Sequence, residues 1–328
     1  PPTTTQLDRR RQRQMCIRDR SHCIYGPPGT GKTTELMRLL TTVLEKNSPR
    51  DVCFLSHTKA AAKEVLERAG AKIPPQNIST IHSLCFRMTE MARSQVVNYE
   101  RLREFGRESG IPITGRRMSA DDDIEEGDEY LSIISFARNR KIDPVEAYRQ
   151  SDHPGTYDKF EAFNHEYTQW KRNYGLHDFD DMLQLSLGVS DYTPARAIFV
   201  DEAQDLSPLQ WDVLAHIMSN ARLSYIAGDD DQAIYVWGGA KPDGMVVYEN
   251  DYGAERKVLD VSFRIPKSVH MVAQNIITRV SSRVEKSYKP RNERGVVERA
   301  GDLRAVDLDD RDTLFLYRDL GGKAEVVD

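Results

Sequence analysis

Gly26-Pro27-Pro28-Gly29-Thr30-Gly31-Lys32-Thr33 puts glycine, glycine-lysine and a hydroxyl residue at every fixed position of the pattern G-x-x-x-x-G-K-[ST]. An apolar run, His22–Tyr25, leads into it, and an amphipathic stretch from Lys32 to about Glu45 leads away. Strand, glycine loop and helix are the setting in which such a loop cradles phosphate. The glycines let the chain turn tightly enough for successive N–H groups to converge on anionic oxygens. The helix N-terminus adds the positive end of its dipole. The pattern predicts a nucleotide site built from Gly26, Pro27, Pro28, Gly29, Thr30, Gly31, Lys32, Thr33 and Thr34. Lys32 is expected to reach the β- and γ-phosphates of ATP, and Thr33 to offer its hydroxyl to Mg²⁺.

Short uninterrupted apolar runs recur at Val52–Ser56, Ala197–Val200 and Leu223–Ala227. Such runs suit strands buried on both faces. Amphipathic stretches alternate with them, which predicts an α/β fold with a parallel sheet. One helix is expected after Thr58 as N-cap, ending at Gly70. Another has Ser207 as N-cap with Pro208 at its first position. A further helix follows Pro266 and runs to about Val280.

Residues 88–177 break this rhythm. They are highly charged, carry an acidic run at Asp121–Glu129, and read as a helical insertion between two parts of one sheet. The acidic run itself suits a solvated loop. Residues 1–20 show no period and read as disordered or non-native, with Gln14–Arg20 resembling translated library-adapter sequence.

The 328 residues, 39% hydrophobic, suffice for two domains. The formal net charge is −5; the first twenty residues, with six arginines and two aspartates, carry +4, so the remainder carries −9. That excludes coating of duplex DNA by charge alone. Nucleic acid would have to bind in a local groove, with stacking as well as charge. Cys16, Cys23, Cys53 and Cys85 share no C-x-x-C spacing, so neither a zinc site nor a redox pair is expected. No apolar run approaches a membrane span, and a reduced cytoplasmic compartment is expected.

Two further clusters complete the chemistry. Asp201-Glu202-Ala203-Gln204-Asp205 follows an apolar strand, and the carboxyl end of a strand is where α/β sheets bind ligands. Asp201 is expected to hold Mg²⁺, and Glu202 to orient and deprotonate an attacking water. Alone, two adjacent carboxylates fit a surface turn; together with the phosphate loop they point to hydrolysis. Ile226–Ala240 is the second cluster, again a strand ending in polar residues. Gln232, both donor and acceptor, suits sensing of a γ-phosphate or its water. Tyr235 and Trp237 stand beside glycines; either could stack on a base, though Trp237 alone fits a core position equally well.

These motifs, in this order, resemble superfamily 1 helicases of the UvrD/Rep type. Four weaker stretches agree: Ser56–Ala61, Thr80–Ser83, Asp178–Leu183 and Ser262–Pro266. The resemblance implies a RecA-like P-loop NTPase with a parallel sheet, a helical insertion and the start of a second RecA-like domain. It implies a first domain of residues 21–87 and 178–255, an insertion at 88–177, and the second domain from 256. Phe263 would stack on adenine, and Arg264 would reach the γ-phosphate from across the cleft. A planar fixed cation suits that task, although a surface arginine at a helix start is the plainer alternative. His57, Thr58, His82, Tyr235 and Trp237 would contact single-stranded DNA; His82 fits a hydrogen-bonded structural role equally well.

The implied activity is an ATP-dependent DNA helicase or translocase, moving 3′ to 5′ on single strands and acting at duplex junctions, as in DNA repair. A motor subunit of a helicase–nuclease would share these motifs. Two departures stand out. Trp237-Gly238-Gly239-Ala240 lacks the cation of the family's W-R-G-A, and no glutamine can be assigned upstream of the phosphate loop. Asp312–Tyr317 reads as an early strand of the second domain with nothing after it, so a truncated fragment with weak or no unwinding, binding ATP and DNA, is expected.

Overall fold

The computed structural model describes residues 21–69, 72–114, 125–151, 153, 155–190, 192, 195–281 and 283–298, with the Trp237 side chain left out. The expectations for residues 1–20, the Gly70 cap and the Asp312–Tyr317 strand therefore lie outside the described residues. In chain order the elements are β1 (Ser21–Tyr25), α1 (Lys32–Leu44), β2 (Val52–Ser56), α2 (Lys59–Ala69), β3 (Ile78–Thr80), α3 (Ile81–Met88), α4 (Tyr99–Ser109), α5 (Glu126–Arg140), α6 (Pro144–Gln150), α7 (Tyr157–Tyr174), α8 (Phe179–Ser186), β4 (Ala197–Asp201), α9 (Pro208–Met218), β5 (Leu223–Gly228), α10 (Gly244–Tyr252), β6 (Glu255–Val258) and α11 (Lys267–Ile277).

The six strands form one sheet in the order β3-β2-β4-β5-β1-β6, and every pairing is parallel. Parallel strands need crossover connections: α2 and α9 join neighbouring strands, while α1 and α10 lead to strands further across the sheet. The strand period of two divides the core between the faces. Ile24, Phe54 and Phe199 pack with Leu36 and Leu40 of α1. Cys23, Tyr25, Leu55, Val200 and Ile226 face the opposite layer with Leu84 of α3, Leu183 of α8, Val213 of α9 and Met245 of α10. All residues of β2 and β4 are buried, as their unbroken apolar runs require.

Local signals account for the helix ends. Ser207 accepts from the Gln210 N–H and Gln210 reaches back to the Ser207 N–H, with Pro208 at the first position of α9. Thr58 Oγ1 accepts from the Ala61 N–H at 3.1 Å and starts α2. Two strands leave no signal in the sequence. β3 has three residues, too few for a pattern. β6 reads Glu-Arg-Lys-Val and sits at the sheet edge, where charged side chains reach water and mask an open ladder. The 255/256 division falls inside β6.

Helices α4–α7 enclose a separate aromatic core of Phe105, Tyr130, Phe160, Phe163, Tyr167 and Trp170. Asp178 and Asp181, which form the capping box of α8, join this layer to the sheet layer. Asp178 accepts from Arg138 of α5 at 2.9 Å and Lys171 of α7 at 2.5 Å, and Lys171 also reaches Asp181 at 2.6 Å.

Candidate nucleotide site

The strands β4, β5 and β1 are neighbours, so the loops leaving their carboxyl ends meet along one edge. These loops carry Asp201–Asp205, Asp229–Gln232 and Gly26–Gly31. Gly31 takes φ +82° at the N-cap of α1, and Gly29 takes φ +70°. A Cβ on Gly29 would lie 2.3 Å from the Arg264 Cβ, and one on Gly26 would lie 2.2 Å from the Lys32 Cγ. Side chains are excluded there because the loop is closely approached from both sides. Lys32 Nζ donates to the Gly26 carbonyl at 3.2 Å and lies 3.7 Å from Glu202 Oε2.

Thr33 Oγ1 donates to Asp201 Oδ2 at 2.7 Å. Asp201 is 2% exposed, and burial pushes its carboxyl up to about 6. A buried carboxylate beside a hydroxyl is a donor set suited to a small hard cation that keeps waters and phosphate oxygens as its other ligands. The described residues hold no group of three or more His, Cys, Asp or Glu that could bind a metal without such help. The residues therefore fit Mg²⁺ delivered with a nucleotide.

Glu202 adopts φ +54°, a left-handed conformation costing roughly 1–2 kcal/mol for a residue with a Cβ. Its carboxylate is held by Gln204, whose Nε2 donates to Glu202 Oε2 at 2.9 Å. Gln204 is 3% exposed, and its Oε1 accepts from the Asp229 N–H at 3.0 Å, tying the β4 loop to the β5 loop. Gln232 Nε2 donates to Asp229 Oδ2 at 2.5 Å.

The far wall comes from Ser262–Arg264. Phe263 N–H donates to the Gly29 carbonyl at 2.9 Å, and Ser262 Oγ donates to the Pro28 carbonyl at 2.7 Å. The open cleft between them, about 600 Å³, is lined by Lys32, Thr33, Glu202, Gln232, Phe263 and Arg264, with most of the glycine loop. Phe263 is 75% exposed, leaving its ring face available. Arg68 and Arg291 also line the cleft. No spacing rule singled them out, because they reach it from α2 and from a loop after α11.

The DNA-contact candidates lie elsewhere on the same carboxyl edge. His57 stacks on Tyr235 with ring centroids 5.8 Å apart, and the exposed ring of Tyr235 continues that surface. His82 meets exposed Phe179 edge-on at 5.8 Å. Burial holds His82 down to about 4, with His57 adding to the effect. The Thr58 hydroxyl is engaged as the cap of α2. The backbone of Trp237 lies in a tight turn, Tyr235–Gly238, and its side chain lies outside the description.

A parallel sheet with a glycine loop after β1 and an acidic pair after β4 defines the phosphate-loop nucleotide-binding class. Within it, the family described as "UvrD/REP helicase N-terminal domain" matches residues 7–253, and the chain belongs to that family. It is 25% identical over 291 residues to the ATP-dependent DNA helicase PcrA of Staphylococcus aureus (strain Mu50 / ATCC 700699), covering 83% of this chain and 40% of that protein. It is 27% identical over 289 residues to the ATP-dependent DNA helicase PcrA of Bacillus subtilis (strain 168), covering 82% and 39%. The chain thus spans about 40% of the length of these relatives.

Proposed function

We propose that this chain binds Mg-ATP in the cleft between β1, β4, β5 and the Ser262–Arg264 wall, hydrolyses it, and couples that cycle to movement on single-stranded DNA. The supporting observation is convergence. Three neighbouring strand ends bring Lys32, Thr33, Glu202 and Gln232 to one cleft that Arg264 also lines, with Asp201 bonded to Thr33 just beneath it. In this reading the glycine-loop N–H groups and Lys32 bind the phosphates. Thr33 and Asp201 would hold Mg²⁺, which supplies charge neutralisation at the β- and γ-phosphates. Glu202 takes the proton of the attacking water as the water's oxygen bonds to the γ-phosphorus and the bond to the ADP oxygen breaks. Gln232 orients the water or γ-phosphate, Arg264 stabilises the charge on the transferring group, and Phe263 stacks on adenine.

His57, Thr58, His82, Tyr235 and Trp237 are proposed to line the strand path, with a duplex junction ahead and 3′-to-5′ travel in the cytoplasm. Residues 21–87 and 178 to the end of β6 at Val258 would be the first motor domain, 88–177 its insertion, and the chain after β6 the second domain, the 255/256 division being moved because it cuts a strand of the first sheet. The relatives' description as DNA helicases favours unwinding by a protein of their full length. A second reading, binding of ATP and DNA without unwinding, is favoured by α11: none of its residues is buried, and Met271 and Ile276 are exposed. Among the described residues no helix is long and apolar enough to cross a membrane.

Steady-state ATP hydrolysis with and without single-stranded DNA tests the proposal, on the wild type and on Glu202→Gln. DNA stimulation in the wild type, with turnover reduced by about 10²–10⁴-fold in the variant, is expected. Equal hydrolysis by the two proteins would overturn the assignment of Glu202. Retained ATP and DNA binding without turnover would favour the second reading. Displacement from 3′- and 5′-tailed duplexes tests the direction of travel.

A further inference from the structure

Three consecutive aspartates leave β5, and all three are almost or wholly out of water: their side chains are 0%, 4% and 14% exposed for Asp229, Asp230 and Asp231. Their neutralising partners come from more than fifty residues further along the chain. Lys286, 1% exposed, lies 2.8 Å from Asp229 Oδ1 and 3.1 Å from Asp231 Oδ2, and it also contacts Asp230. Arg283 grips Asp231 with two parallel bonds, Nε to Oδ1 at 2.7 Å and Nη2 to Oδ2 at 2.6 Å. The Val284 N–H donates to Asp230 Oδ2 at 2.6 Å. A planar two-bond grip fixes orientation as well as charge.

The same aspartates hold the site. Asp229 Oδ2 takes the Gln232 amide, and the Asp229 N–H is accepted by Gln204, which also holds Glu202. An unbroken series of bonds therefore runs from Lys286 through Asp229 to Gln232, and through Gln204 to Glu202. Without their cations, three adjacent buried carboxylates would repel one another and reopen the turn, since charge buried without a partner is strongly disfavoured.

We infer that Arg283 and Lys286 are positioning residues for the γ-phosphate end of the cleft: by clamping the aspartates after β5 they set Gln232 and, through Gln204, Glu202. This rests on the ATPase reading above. The clamp approaches from the segment after α11, so it also makes the γ-phosphate contacts depend on where that segment sits.

The test compares binding of Mg-ADP with binding of the Mg complex of the non-hydrolysable β,γ-imido analogue of ATP, so it needs no turnover. The proteins are the wild type, Lys286→Met, Lys286→Arg, Arg283→Gln and Gln232→Ala. The wild type is expected to prefer the triphosphate analogue. Arg283→Gln and Lys286→Met should reduce that preference by roughly tenfold, the loss of one charge-assisted hydrogen bond, with the ADP affinity within about twofold. Lys286→Arg should restore part of it. Combining Arg283→Gln with Gln232→Ala should cost no more than Gln232→Ala alone, because both remove the same contact; a general loss of structure would instead weaken both nucleotides. If Lys286→Met does not fold, Arg283→Gln carries the test alone. Variants that keep the wild-type preference, or additive losses, overturn the inference. A wild type that binds neither nucleotide sinks the ATPase reading itself and this inference with it, an outcome distinct from the other two.

Discussion

Glu202 and Gly29 show how much of the site is decided one residue at a time. The phosphate loop was legible from spacing alone, because only glycine tolerates the turns and close approaches the loop makes. The Arg264 Cβ would sit 2.3 Å from a side chain at Gly29, and φ there is +70°. Gly29→Ala should therefore unseat the Ser262–Arg264 wall and weaken Mg-ATP binding by about tenfold or more, since the strained turn and the clash each cost 1 kcal/mol or above. Isothermal titration checks this, and an unchanged affinity would mean that the wall does not hold nucleotide. Gln204 stands inside the Asp201–Asp205 motif, where its residue type alone points to no role. Its importance is a matter of position, in that one buried amide touches both Glu202 and the Asp229 backbone, and spacing carries no trace of that. His82 supports a prediction about pH. Burial, with His57 beside it, lowers its pKa to about 4 from an ordinary value near 6.5. The unfolded chain then binds the proton more readily between those values. His82 therefore stabilises the fold fully above pH 6.5, and the contribution is lost as pH falls towards 4. It amounts to roughly 1–3 kcal/mol. Urea midpoints of the wild type and His82→Gln should converge on acidification over that range; parallel curves would mean that His82 stays solvated.

At the scale of elements, the strands with unbroken apolar runs were readable and the edge strands were not. β2 and β4 sit inside the sheet, where both faces demand apolar side chains. β6 needs only its backbone, so Glu255, Arg256 and Lys257 give no strand signal. The joint between the α4–α7 layer and the sheet layer was equally hidden. Arg138 and Asp178 are forty residues apart and meet only after both layers form. Each is less than a fifth exposed, and Arg138 also reaches Asp181 and Gln184. Removing one partner of a well-enclosed ionic network leaves the rest without compensation, which typically costs about 3–5 kcal/mol. Arg138→Met should lose an amount of that order in urea unfolding, and because Lys171 still neutralises part of the charge, the lower end is expected. A loss under about 0.5 kcal/mol would place the joint's strength in its aromatic packing instead.

For the whole molecule, the order of motifs along the chain became an arrangement in space because β4, β5 and β1 are adjacent and parallel, so three loops far apart in sequence share one edge. What the order could not reveal is which later segments fold back on that edge, as Arg283 and Lys286 do. Charge gives the last prediction. A chain of net charge −5 has little general attraction for a polyanion. If it grips single-stranded DNA along the carboxyl edge, few phosphates are neutralised and stacking supplies much of the affinity. The logarithm of the binding constant should then fall with the logarithm of salt at a slope no steeper than about −3, corresponding to four phosphates or fewer at roughly −0.7 each. Tyr235→Ala should weaken binding by about 1–3 kcal/mol, the worth of one stacked base, while leaving that slope unchanged, because the ring carries no charge. A steep slope with an indifferent Tyr235→Ala would mean that the strand is held by charge along another surface, and that the His57–Tyr235 pair belongs to the fold and not to the strand path.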